Sequence, residues 1–110
     1  LARSLSRAGI EFEAGPVFSS DAFYAEDPEF AKKWGERGVI AVEMECATLF
    51  SLGWMRKLKT GAVLVISDSL VKKPEYMATA EELRERVLRV GEAVFEALSE
   101  VETSPYWRIK

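Results

Sequence analysis

The sequence predicts an α/β fold, and three observations carry that reading. Two short apolar runs, residues 39–42 and 62–66, have the length and composition of buried strands. Stretches with helical spacing precede, separate and follow them. The two kinds of stretch alternate along the chain, which is the pattern of a sheet with helices packed on it. At 110 residues the chain reads as a single α/β domain over 1–110, closed by a tail over 101–110.

Taken in order, Leu1, Leu5 and Ala8 sit at helical spacing with Arg3 and Arg7 off that stripe, and Gly9 follows as a C-cap. The chain therefore opens on the last turns of a helix, and an earlier part of the fold is expected to precede it. Residues 10–14 alternate apolar and polar, as a half-buried strand does. Gly15 and Pro16 interrupt them, and residues 17–21 either continue into a second strand or bend. Asp27-Pro28 is a helix start, with Asp as N-cap and Pro at the first position. Phe30 and Trp34 share a face of that helix, and Gly38 stops it. After the strand at 39–42, a helix from about Met44 to Lys57 places Ala47, Phe50 (or Ser51) and Trp54 on one side. Thr60-Gly61 turns the chain into the strand at 62–66. Residues 69–78, with Lys72-Lys73-Pro74, read as a loop. Thr79 and Glu82 have capping-box spacing. The helix behind them carries Leu83, Val87, Val90, Val94 and Leu98 on one stripe, with Glu85, Arg86, Arg89, Glu92 and Glu96 on its other face. In the tail, Tyr106 and Trp107 suggest docking.

Composition narrows the chemistry. Hydrophobic residues make up 48%, an ordinary globular share. A net charge of −3 without a basic stripe gives no nucleic-acid footprint. No apolar run approaches the roughly 20 residues of a membrane span, and nothing reads as a signal peptide. With one cysteine and no histidine, the chain can form no internal disulfide, no histidine triad and no zinc site with histidine ligands. The expected location is the cytoplasm. Acid–base chemistry must come from carboxylates, lysine or tyrosine. Cys46 lacks an activating histidine and reads as a small buried apolar residue.

The candidate site is the run Val42-Glu43-Met44-Glu45, where a strand gives way to a helix. Free N–H groups and the dipole at a helix start favour an anion there. Ser67-Asp68 ends the second apolar run. If the two strands are parallel neighbours, their carboxylates share the sheet edge where open α/β sheets bind ligands. Glu43 and Glu45 are either corner residues on the surface, or one of them accepts hydrogen bonds from a vicinal diol, which the two oxygens of a carboxylate suit. Asp68 is either a turn cap or a general acid in a partly dry crevice.

The order Phe18-Ser19-Ser20-Asp21-Ala22-Phe23-Tyr24, then Val42-Glu43-Met44-Glu45-Cys46-Ala47, then Ile66-Ser67-Asp68 resembles the purine nucleoside phosphorylase and uridine phosphorylase family. It is most similar to the hexameric purine nucleoside and 5′-methylthioadenosine phosphorylases of archaeal type. The similarity runs from about residue 5 to residue 98. It implies the C-terminal half of a nucleoside-phosphorylase-like α/β sandwich with a mixed central sheet.

By resemblance, Phe23 and Tyr24 flank the base, and Val42 and Ser67 also belong to the base site. Met44 and Glu45 bind the ribose, Glu45 through the 2′- and 3′-hydroxyls. Asp68 donates a proton toward N7 of the purine. Cleavage of the glycosidic bond leaves negative charge on the purine, which protonation neutralises, while phosphate attacks the anomeric carbon. The expected partners are a purine nucleoside and phosphate, the latter as co-substrate. No cofactor, metal, nucleic acid or membrane is expected.

The family's phosphate-binding glycine and arginines belong to its N-terminal half, so no phosphate-binding residue is assigned. The chain is expected to carry the base and ribose half-site, to be inactive alone, and to assemble as a homo-oligomer or with an N-terminal half. The arginine that pairs with the catalytic Asp has no clear counterpart: either Arg84 or a lysine serves, or the role is unfilled. No Q-x-R follows Phe23-Tyr24, which favours purine over uridine. Two alternatives stay open. One is a nucleosidase that hydrolyses methylthioadenosine or adenosylhomocysteine. The other is a non-catalytic remnant acting as an assembly module.

Overall fold

The computed structural model describes residues 1–22, 27–71 and 77–101. Their elements are α1 (Ala2–Arg7), β1 (Val17–Ser19), α2 (Phe30–Gly35), β2 (Ala41–Glu43), α3 (Cys46–Met55) and α4 (Ala80–Val101). The chain divides into two compact units. One holds α1, residues 63–67 and α4; the other holds β1, α2, β2 and α3. Helices and a small parallel sheet together make the chain α/β.

In the first unit, α1 ends as its sequence predicts. Gly9 takes φ +68, and the Gly9 and Ile10 N–H groups donate back to the carbonyls of Ser6 and Leu5, each at 3.0 Å. This is a Schellman ending, and glycine occupies the left-handed position without a Cβ penalty. α4 begins on the capping box read from Thr79 and Glu82. The Glu82 N–H donates to the Thr79 hydroxyl at 3.2 Å and the Thr79 N–H to the Glu82 carboxylate at 3.0 Å. α1 packs on α4 with Ser4 and Leu5 buried on one helix and Ala93 and Ala97 on the other. Alanines let the two backbones approach. Arg7 pairs with Glu100 and Glu96, and Arg89 donates to the Ala8 carbonyl at 3.3 Å.

The expected apolar stripe of α4 is only partly covered. Leu83, Val90 and Val94 are half-buried, whereas Val87 and Leu98 are exposed. The most buried line runs through the small residues instead.

The second unit is a β–α–β arrangement. β1 and β2 pair in parallel, with Val17 opposite Ala41, Phe18 opposite Val42 and Ser19 opposite Glu43. Parallel neighbours need a crossover, and α2 supplies it. Phe30 and Trp34 share a face as the sequence predicts, and that face receives Phe18. The rings of Phe18 and Phe30 meet edge to face at 5.0 Å, and Phe18 lies 4.8 Å from Trp34. α2 starts later than Asp27-Pro28 suggests. The Asp27 carboxylate accepts the Glu29 N–H at 3.0 Å, forming a turn that leads into the helix rather than capping it. Gly38 follows α2 at φ +86.

Two expected strands do not form. Residues 10–14 and 62–66 carry no strand structure, so β2 pairs with β1 and not with the run at 62–66. Apolar alternation supplies a face, but a strand also needs a partner for its N–H and C=O groups. Val17–Ser19 supply the ladder instead, and the Ile40 N–H extends it to the Pro16 carbonyl at 3.0 Å.

α3 is shorter than the expected helix from Met44 to Lys57, and it buries a different face. Cys46 and Gly53, one heptad apart, are buried. Phe50 is exposed, and Trp54 is 84% exposed. Residues 72–76 of the loop read at 69–78, and residues 102–110 of the tail with Tyr106 and Trp107, lie outside the described residues. No described helix is long and apolar enough to cross a membrane.

Candidate functional site

The parallel ladder ends at Ser19 and Glu43, and α3 begins three residues after Glu43. The site lies at the C-terminal ends of two parallel strands, where such sheets present ligand-binding groups. A helix start leaves its first N–H groups without helical acceptors. Glu45 occupies the N-cap position of α3, yet its side chain makes no capping bond.

The capping comes from elsewhere. One oxygen of the Glu43 carboxylate accepts the N–H of Glu45 at 2.6 Å and that of Cys46 at 2.5 Å. The other accepts the hydroxyl of Ser19. Ser19 in turn accepts the Ala47 N–H at 2.9 Å. The strand pairing that sets Ser19 opposite Glu43 therefore also delivers both side chains to the helix start. Beyond it, the Ser20 N–H donates to the Glu43 carbonyl at 2.8 Å.

This environment favours ionised Glu43. The Ser19 hydroxyl holds its carboxyl down at about 2 against an ordinary 4.5, helped by the backbone N–H groups of Cys46 and Glu45 and opposed by partial desolvation. Cys46 moves the other way. Burial pushes its thiol up, and its hydrogen bond to the Glu43 carboxylate adds to the effect, so it stays a protonated, inert thiol. The buried reading of Cys46 holds.

The two glutamates of the Val42-Glu43-Met44-Glu45 run therefore differ. Glu43 is consumed by the chain's own donors. Glu45 is exposed, and one of its oxygens accepts the Met44 N–H at 3.2 Å. Val42 and Met44 are exposed beside it, at 39% and 44%. The structure thus brings Val42, Met44 and Glu45 together at one strand end, as the sequence suggests.

Asp68 is exposed, not set in the partly dry crevice expected from the apolar run before it. That expectation assumed a strand end within the sheet, and residues 62–66 do not join one. Ser67 is also exposed, and its carbonyl accepts the Ala78 N–H at 2.7 Å. Phe23 and Tyr24 lie outside the described residues, as do the loop lysines Lys72 and Lys73. No group of acidic residues and cysteine suited to a metal ion occurs among the described residues.

Sequence reasoning passed over Ser19 as a site residue. Its signal was available only in the motif that contains it, because its partners lie 24 and 28 residues away.

The family model of the phosphorylase superfamily matches residues 1–101. A DeoD-type purine nucleoside phosphorylase from Clostridium novyi is 38% identical over 74 residues, covering 67% of this chain and 32% of the relative. One from Clostridium perfringens is 35% identical over 89 residues, covering 81% of this chain and 37% of the relative. A guanosine phosphorylase from Halorubrum lacusprofundi is 39% identical over 61 residues, covering 56% and 25%. The chain thus spans about a third of the length of the curated relatives it matches.

Proposed function

This chain belongs to the phosphorylase superfamily, and on that premise we propose that it carries the base and ribose half of a site for phosphorolysis of purine nucleosides, 5′-methylthioadenosine among them. The observation that carries the reading is the division between the two glutamates. Glu43 is saturated by internal donors, while Glu45 stands exposed at the C-terminal end of a parallel strand pair. A carboxylate so placed can accept the two neighbouring hydroxyls of a ribose. Val42 and Met44 offer the apolar surface beside it.

In this reading Asp68 gives a proton to N7, with Ser67 beside it, and Phe23 and Tyr24 flank the base. Proton donation by a positioned carboxyl contributes about 10²–10⁴-fold. Phosphate is the co-substrate, bound by residues outside this chain, and no cofactor or metal takes part. The chain works in the cytoplasm within a homo-oligomer or together with an N-terminal half. The exposure of Leu52, Trp54 and Met55 on α3 supports such assembly. The phosphorylase names of the relatives favour phosphorolysis over hydrolysis.

Titration of the chain with inosine and with hypoxanthine tests the reading. Glu45→Gln removes a charge-assisted acceptor worth roughly 1.5–3 kcal/mol. Nucleoside affinity should fall by about tenfold or more while the free base is retained within about twofold. Equal losses for both ligands would remove Glu45 from the ribose site. Base release from inosine by the chain alone should stay at background with phosphate present. Release that needs no phosphate would instead favour the nucleosidase.

A further inference from the structure

Ser19 and Glu43 have no assigned part in ligand binding, and both are fully engaged with the backbone that carries Glu45. The Ser19 hydroxyl donates to Glu43 and accepts the Ala47 N–H at 2.9 Å. Glu43 accepts the Glu45 N–H at 2.6 Å and the Cys46 N–H at 2.5 Å. Three consecutive peptide N–H groups, those of Glu45, Cys46 and Ala47, are thereby tied to the ends of β1 and β2. The N-cap side chain itself contributes nothing to this anchoring. Without the tie, the first turn of α3 would have to find water for those N–H groups, and the peptide that bears the Glu45 carboxylate could turn relative to the sheet edge.

We propose that Ser19 is a positioning residue: through Glu43 it locks the first turn of α3 to the strand ends, and so fixes where Glu45 presents its carboxylate. The inference rests on the reading of Glu45 as the ribose carboxylate for its consequence in binding, but not for the lock itself. A serine suits the task because one hydroxyl both donates and accepts. It lies on β1, so the lock forms only when the β–α–β unit has paired.

The experiment uses the full chain and two readouts. Amide hydrogen exchange reads the lock directly. In Ser19→Ala the Glu45, Cys46 and Ala47 amides should exchange about tenfold faster or more, while the Thr79 and Glu82 amides at the start of α4 are unchanged. Ser19→Thr, which keeps the hydroxyl, should restore protection. Titration reads the consequence: Ser19→Ala should weaken inosine by about tenfold, leave hypoxanthine within about twofold, and be rescued by Ser19→Thr. Unchanged exchange at the three amides overturns the proposal whatever the ligand does. Faster exchange confined to them, in a chain whose wild type binds no inosine, upholds the lock and fails the ribose reading of Glu45. Faster exchange with undiminished inosine binding overturns the positioning role. If Ser19→Ala unfolds the chain, Ser19→Thr and Ser19→Cys decide, since a thiol is a poor donor and acceptor and should show the Ala pattern at the same three amides.

Discussion

Helices α3 and α4 both begin beside a glutamate, and the two beginnings are built over different distances. At α4, Thr79 and Glu82 cap each other within four residues of chain. At α3, the capping groups are Glu43 at the end of β2 and Ser19 at the end of β1, the latter 28 residues from the amide it caps. The first device is local and can form before any tertiary structure. The second exists only after two strands have paired in register. The helices differ in their glycines as well. A Cβ added at Gly53 of α3 would collide with the Thr60 side chain and lie 3.3 Å from the Leu58 carbonyl, whereas one added at Gly91 of α4 meets nothing within 4 Å. α3 is thus fitted to its surroundings at its start and at Gly53 near its end, whereas α4 is capped within its own sequence and meets α1 through Ala93 and Ala97. The helix that begins at Glu45 is tied to the strand ends, while α4 is capped by its own sequence.

The sharpest way to break this contrast is Glu43→Gln. The amide retains one acceptor oxygen where the carboxylate served Ser19, Glu45 and Cys46. Donors left unmatched cost more than the lost bond itself. Of the substitutions considered, this one should lower the urea midpoint most. It should also change the acid limb. With a folded value of about 2 against an ordinary 4.5, Glu43 contributes stability that is fully present above pH 4.5. That contribution is lost as the pH falls through about 2. Glu43→Gln should therefore be less stable than wild type at pH 7, and the two should converge toward pH 2. A constant difference across that range would show that the carboxylate charge is not what holds the start of α3.

The same contrast explains what the sequence made legible. The Gly9 ending, the Thr79–Glu82 box and the Phe30–Trp34 face are local patterns, and each is found where its spacing puts it. The position of Val42-Glu43-Met44-Glu45 at a strand-to-helix junction was legible too, since an apolar run, two carboxylates and a helical stretch follow one another without a gap. The division of labour between Glu43 and Glu45 was not, because it depends on Ser19 arriving from another strand. Residues 10–14 and 62–66 have strand-like composition, but composition does not supply a ladder partner. Asp68 was expected to be partly dry on the assumption that its run sits in the sheet, and its exposure follows from the failure of that assumption. Phe50 and Trp54 mark an apolar face of α3, but spacing alone cannot say which face is covered. Gly53 could pass as a helix-weakening residue, yet the Thr60 side chain occupies the space that a Cβ there would need.

A paired substitution sharpens the glycine comparison. Ala is the better helix former by roughly 1 kcal/mol. Gly91→Ala should therefore stabilise the chain by about that amount, with nothing nearby to resist it. Gly53→Ala must displace the Thr60 side chain and crowd a backbone carbonyl. Overpacking of this kind costs about 1–3 kcal/mol, so the net effect should be destabilising or at best neutral. Urea melts of both variants check the sign. Stabilisation by both would mean that the Thr60 side chain moves aside without cost, and that α3 is no more constrained than α4.

The smallest effect concerns the other end of α3. The helix closes with the Leu58 N–H donating to the Gly53 carbonyl at 2.8 Å and the Lys57 N–H to the Trp54 carbonyl at 3.2 Å. This is the same ending that Gly9 gives α1, except that the left-handed position is filled by Lys57, at φ 57. A residue with a Cβ loses about 1–2 kcal/mol in that conformation. Glycine avoids this loss but gains freedom in the unfolded chain, which returns about 0.4–1 kcal/mol. Lys57→Gly should then stabilise the chain by about 0.5–1 kcal/mol, read as a higher urea midpoint. Lys57→Ala separates backbone from charge, because alanine keeps the Cβ and loses the ammonium. If the left-handed backbone is the cause, Ala brings no gain and Gly does. Equal gains from both would assign the effect to the lysine charge, and the end of α3 would be no more strained than the end of α1.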